Sequence, residues 1–229
     1  MVEHSESVPP TARRGLALRR RDLLALALLL VALALLLFLL IRPANPKGIS
    51  GSPLAARPSQ YAGLAEARPL PAPKLRLDNY LGTPVNLADY RGKAVFVTFL
   101  YTHCPDVCPL ITSHLHTALA QMPAAVRAKT AIIAVSVDPR GDTPKTVAQF
   151  LRLHEMTGRM QYLIGSAGAL RAVWSAWGIS SSPQTSDPEQ VAHTALIYGI
   201  TAHGKVTVVL PSNFTPSEVV KDAPLLARS

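Results

Sequence analysis

From Leu23 to Ile41 the chain runs for 19 residues without one charged or polar side chain. A run of that kind has few ways to fold, because its backbone must satisfy its own hydrogen bonds and its side chains must avoid water. As a helix rising about 1.5 Å per residue it would reach roughly 28 Å, close to the hydrocarbon thickness of a bilayer. A transmembrane helix over 23–41 is the expectation. It divides the chain into a cytoplasmic N-terminus (1–22), the span, and everything after it.

Orientation follows from the flanks. Arg13, Arg14, Arg19, Arg20 and Arg21 precede the run, whereas Arg42 and Lys47 are the near cations after it. Positive charge is retained on the cytoplasmic side. The chain is therefore expected in the cell membrane as a single-pass protein, its C-terminal part extracytoplasmic, on the periplasmic or extracellular face. A cleaved signal peptide is the rival reading. Its apolar core would be about 7–15 residues with a small-residue cleavage site behind it, and Ile41-Arg42-Pro43-Ala44-Asn45-Pro46 offers none.

Seven prolines (43, 46, 53, 58, 69, 71 and 73) fall in residues 42–74. Proline removes a donor and fixes φ, so this stretch reads as a semi-rigid linker unsuited to helix or central strand. The folded domain is expected over 75–229. The net charge of +9 divides into +2 before the span and +7 after it, with no long Lys/Arg run. A nucleic-acid surface would need a basic stripe with interleaved aromatics, so that class is excluded. Disorder and a disulfide scaffold are excluded by a composition 48% hydrophobic with only two cysteines.

Within the domain, Leu81-Gly82-Thr83-Pro84 marks a hairpin turn between Leu77 and Asp89. Ala94–Tyr101 and Thr130–Val137 are continuous apolar runs, the pattern of buried strands. Val107, Leu110, Ile111, Leu115 and Leu119 recur at helical spacing. Asp142-Thr143-Pro144 opens a helix that runs to His154. A strand over 161–164 and a helix over 167–177 follow. A hairpin is then expected from 193–200 and 205–210, and a last helix from Ser217 that Pro224 cuts short. Strands alternating with helices, closed by a hairpin and helix, predict an α/β thioredoxin-like fold.

Both cysteines stand in Tyr101-Thr-His-Cys-Pro-Asp-Val-Cys-Pro109, at the carboxyl end of the first buried strand, where open α/β sheets place their sites. Cys104 and Cys108 are four apart, one helical turn, and so share a face. Three readings stand: a structural disulfide, a redox dithiol, or a pair of soft metal ligands. A bridge over so short a loop constrains the unfolded chain little. A thioredoxin-type dithiol would be Cys-x-x-Cys, with a cis-proline facing it before the terminal hairpin. Here that place reads Val191-Ala192-His193-Thr194. Two thiolates and an imidazole make a trigonal soft site that favours copper, with zinc as the rival.

The cysteine motif, followed by Ser136-Val-Asp-Pro139, Asp142-Thr-Pro144 and a histidine opening the last hairpin, resembles the Sco/SenC family over Leu75–Phe214. The resemblance implies a membrane-tethered, thioredoxin-fold copper protein that helps assemble the binuclear CuA centre of cytochrome c oxidase. It further implies one copper ion per monomer held by Cys104, Cys108 and His193. Asp138 becomes a residue near the site, and Cys104–Cys108 a disulfide in the oxidised apo form. The implied partners are the CuA-bearing subunit II of the oxidase and other copper carriers, with no nucleic acid. Two departures stand out: Ala192 where the family usually has Asp before the histidine, and Thr201-Ala-His-Gly204 where it has Asp-Pro-x-Gly. The first removes an acidic partner from His193.

Two functions share these residues, a metallochaperone and a thiol-disulfide oxidoreductase acting on the receiving subunit's cysteines. A peroxidase would need Thr-x-x-Cys, and Thr102 stands two residues before Cys104. His103, next to Cys104, is expected to point into the sheet or solvent and not to be a ligand; His114 and His116 read as surface residues, and His154 and His203 as a helix end and a turn. Met122, Met156, Met160, Trp174 and Trp177 read as core. Gly178–Ala192, about 15 residues where 4–6 is usual, is expected to be a mobile flap that delivers His193 to the site.

Overall fold

A computed structural model describes Arg21 and residues 29–35, 59–183, 191–193 and 195–229, with the backbone alone for 182, 183 and 191–193. The chain divides into Met1–Ala56 and Arg57–Ser229. In the first unit, residues 29–35 are helical and exposed. The rest of the expected span 23–41 lies outside the described residues, as does the linker from 42 to 58. Among the described residues, no helix is long and apolar enough to cross a membrane.

The second unit is built on one eight-stranded mixed sheet. Its strands are β1 (Leu64–Pro71), β2 (Arg76–Asn79), β3 (Pro84–Asn86), β4 (Ala94–Leu100), β5 (Thr130–Ser136), β6 (Met160–Ile164), β9 (Leu196–Ile200) and β10 (Lys205–Pro211). Their order is β1-β10-β9-β4-β5-β6-β2-β3. A separate two-stranded sheet pairs β7 (Ser181–Pro183) with β8 (Val191–His193). The helices are α1 (Val107–Gln121), α2 (Ala124–Ala128), α3 (Pro144–Leu153), α4 (Ala167–Ala176) and α5 (Pro216–Leu226).

β4, β5 and β6 are parallel and central. All seven residues of β4 are buried, which explains why its sequence is continuously apolar rather than alternating. α1, α3 and α5 share one face of the sheet. Gly199, the register partner of Phe96, leaves its space to Leu226 of α5, and Tyr162 meets Phe150 of α3 on that side. Phe99, three residues on from Phe96 and so on the opposite face, meets Trp177 at the end of α4 at 5.9 Å between ring centres. Met122, Met156 and Met160 are buried, in keeping with their reading as core.

Three sequence expectations change. Leu64–Pro71, inside the stretch read as linker, is the edge strand β1, antiparallel to β10. Proline is tolerated there because an edge strand has one row of N–H groups with no ladder to join. Second, α5 runs through Pro224 to Leu226 instead of stopping. Ala223 and Leu226 are wholly buried, and Ala227 N still donates to the Ala223 carbonyl at 3.0 Å, so packing holds the last turn. Third, His193–Ile200 is not one strand: His193 ends β8 and Leu196 opens β9. In the segment expected to be a flap, Ser181–Pro183 pairs antiparallel with Val191–His193, and residues 184–190 lie outside the described residues.

Candidate metal centre

The cysteine loop leaves β4 at Leu100, and the neighbouring loop leaves β5 at Ser136. The two are tied by Val137 N donating to the Leu100 carbonyl at 2.9 Å. The Asp106 side chain caps α1 by accepting from Val107 N. Pro109 falls within the first turn, where a missing N–H leaves no helical bond unmade. Cys108, Ile111, Thr112, Leu115, Ala118 and Leu119 form the buried face of α1. Cys108 is therefore held by the same periodicity that builds the core.

Cys104 and Cys108 are both buried, and neither is in a disulfide. The Cys108 backbone N–H donates to the Cys104 sulfur at 3.3 Å. The Cys108 side chain is a second hydrogen-bonding neighbour of that sulfur. This, more than anything else, draws the Cys104 thiol down to about 6, helped by backbone N–H groups at the start of α1 and opposed by burial. Cys108 is driven the other way, first because its proton is engaged by Cys104 and then by its own burial. The pair is thus driven in opposite directions, Cys104 toward thiolate and Cys108 toward thiol.

Asp142 is the site residue that sequence reasoning missed. The residue is 5% exposed, and its carboxylate gathers three donors: Thr102 N at 2.8 Å, Ser136 Oγ at 2.7 Å and the Tyr162 hydroxyl at 3.0 Å. Burial pushes its pKa up, and those hydrogen bonds oppose the shift. The only sequence signal was Asp-Thr-Pro. As expected, that motif also starts α3, with Thr143 as cap and Pro144 at the first helical position.

Asp138 is half-buried, and its Oδ1 accepts from Arg140 N at 3.1 Å within its own turn. The absence of a side chain on Gly141 leaves room for the Asp138 carboxylate and the His103 ring. His103 itself is exposed. The backbone of His193 lies opposite Ser181, whose hydroxyl donates to the Val137 carbonyl at 3.1 Å. That register brings β8 to the end of β5. Among the described residues no group of three His, Cys, Asp or Glu side chains is arranged to hold a metal, and the His193 side chain is not one of those described. His114 and His116, read as surface residues, are half-buried: the His114 ring is 2.8 Å from the Phe214 carbonyl and the His116 ring 3.3 Å from that of Glu155. Trp174 packs with its indole N–H on the Ser136 carbonyl at 2.9 Å.

The family model for SCO1/SenC matches residues 68–227. The chain belongs to that family. Among curated SCO1/SenC relatives, the SCO1 protein homolog of Bacillus subtilis is 30% identical over 132 residues, 56% of this chain and 67% of the relative. The mitochondrial SCO1 homolog of Mus musculus is 24% identical over 156 residues, 66% of this chain and 54% of the relative. The chain spans about half the length of the Mus musculus homolog and of a copper-binding relative from Stutzerimonas stutzeri, 54% and 47%. Among solved structures, copper-bound ScoI of Bradyrhizobium japonicum superposes with a TM-score of 0.58 at 27% identity, covering 69% of this chain and 99% of that one. Apo Sco1 of Thermus thermophilus gives 0.63 at 27% identity, covering 72% and 96%. The SCO1/SenC fold here is the thioredoxin-like α/β arrangement expected from the element order.

Proposed function

We propose that this SCO1/SenC protein is a membrane-tethered copper chaperone. It carries one copper ion on Cys104, Cys108 and His193 and delivers it to the CuA centre of subunit II of cytochrome c oxidase. The observation that carries this reading is the buried thiol pair one helical turn apart, with the Cys108 N–H on the Cys104 sulfur at 3.3 Å and the Cys104 thiol drawn down to about 6. Metal ligation needs thiolate, and soft sulfur selects copper over harder ions. Relatives support the cargo: the B. japonicum protein was solved with copper bound. Binding as a dithiolate requires Cys108 to give up its proton, which costs less as copper approaches because the ion's charge takes over that proton's electrostatic role. Residues 23–41 serve as the anchor, with the domain on the extracytoplasmic face. His193 closes the site from β8, and Asp138 borders it.

The thiol asymmetry also favours a second reading, a thiol-disulfide oxidoreductase. The Cys104 thiolate would attack a partner disulfide and form a mixed disulfide. Cys108 would then resolve it, losing its proton, so that the partner leaves as a dithiol and Cys104–Cys108 is left bridged. Anaerobic copper titration of the reduced protein separates the two. One tightly held copper per chain supports the chaperone; no copper, with rapid reduction of a disulfide substrate, supports the reductase.

A further inference from the structure

We propose that Asp142 is the positioning residue of the cysteine loop, setting the backbone from which both sulfurs are presented to copper; this rests on the copper reading above. Three elements converge on its carboxylate. Oδ1 takes the N–H of Thr102, two residues before Cys104, while Oδ2 takes the hydroxyls of Ser136 at the end of β5 and Tyr162 in β6. Ser136 is itself fixed, because its Oγ accepts from Asp138 N at 3.1 Å and its carbonyl from the Trp174 indole. Asp142 has little freedom of its own. Its N–H donates to the Asp138 carbonyl at 3.0 Å, and the capped N-terminus of α3 begins at the next residue.

The sheet's parallel core is thus joined through one buried carboxylate to the backbone of the loop carrying the sulfurs. A buried carboxylate is expensive unless fully hydrogen-bonded. A fold needing only to cover this spot could do so with an apolar side chain. What the carboxylate adds is a directional, charge-assisted bond to one loop amide. Groups that orient metal ligands in this way typically change affinity about 10–100-fold when removed.

The test uses purified full-length protein in detergent. Asp142→Ala should bind Cu(I) at least about tenfold more weakly and shift the Cu(II)-thiolate absorption, with the far-UV circular dichroism retained. Asp142→Asn keeps an acceptor for Thr102 and, since hydroxyls can rotate, should restore both. Tyr162→Phe keeps the Thr102 bond, so it should lose stability but keep the copper spectrum. Wild-type copper affinity and spectrum in Asp142→Ala would overturn the proposal, as would equal copper loss in Tyr162→Phe. Should Asp142→Ala not fold, hydrogen exchange on wild type decides: the Thr102 amide should be protected like strand amides, and free-loop exchange would overturn the assignment. If wild type takes up no copper, the copper reading fails on its own. The alkylation rate of Cys104 then tests Asp142: a change of about tenfold in Asp142→Ala supports positioning, and an unchanged rate overturns it.

Discussion

The two cysteines are chemically unlike although the sequence presents them as a matched pair. Cys104 is lowered to about 6 because Cys108 donates to it, whereas Cys108 is raised by that same bond and by burial. Iodoacetamide should therefore modify Cys104 with a midpoint near pH 6 in the folded reduced protein, and Cys108 only after unfolding. A Cys104 midpoint in the ordinary thiol range, about 8–9, would contradict this. The sign for stability follows. The unfolded chain binds the extra proton between pH 6 and 9, so this group's stabilisation of the reduced fold is complete above the unfolded value and is lost as pH falls through about 6. His193→Ala should weaken Cu(II) strongly and Cu(I) modestly, because two thiolates still satisfy Cu(I) whereas Cu(II) prefers nitrogen and a fuller set. The comparison is the Cu(II)-thiolate absorption of both proteins at equal copper; an unchanged spectrum removes His193 from the site.

At the scale of elements, β1 is the piece that sequence reading placed wrongly, and its attachment is specific. Asp222 of α5 is wholly buried and accepts from the N–H groups of Ala62, at 2.6 Å, and Gly63, at 3.0 Å. Gly63 lies where any side chain would meet Val208 and Leu210 of β10. The strand thus begins at a clamp formed by the last helix. Asp222→Ala leaves two backbone donors without their partner and should cost about 1–3 kcal/mol. Hydrogen exchange should show faster exchange over residues 62–71, with the amides of β4 and β5 unaffected. Uniform acceleration over the sheet would show instead that the clamp supports the whole domain. The seven prolines of 42–74 hid this strand, since local propensity rejects proline in a ladder and cannot tell an edge from a centre. The hairpin around Gly82, by contrast, was legible because its turn demands a positive φ, here 79°, which glycine supplies locally.

For the molecule as a whole, the proposed tether predicts that the full chain stays in the membrane pellet after alkaline carbonate extraction and that deletion of residues 23–41 releases it. Pelleting of the deleted chain would move the anchor elsewhere. Oxidation of Cys104 and Cys108 to a disulfide should abolish copper uptake and reduction should restore it, because disulfide sulfur offers no thiolate. Full copper retention after oxidation would remove the cysteines from the ligand set. The sequence alone determined what depends on neighbours along the chain: the apolar run, the alternation of buried strands with capped helices, and two cysteines one helical turn apart. Tertiary structure decided the rest. Thr102 and Asp142 are 40 residues apart, Asp142 and Tyr162 are 20 apart, and Ala62 and Asp222 are 160 apart. The buried carboxylate of Asp142 and the proline-bearing edge strand are set by partners that distant segments bring, and no local pattern encodes those.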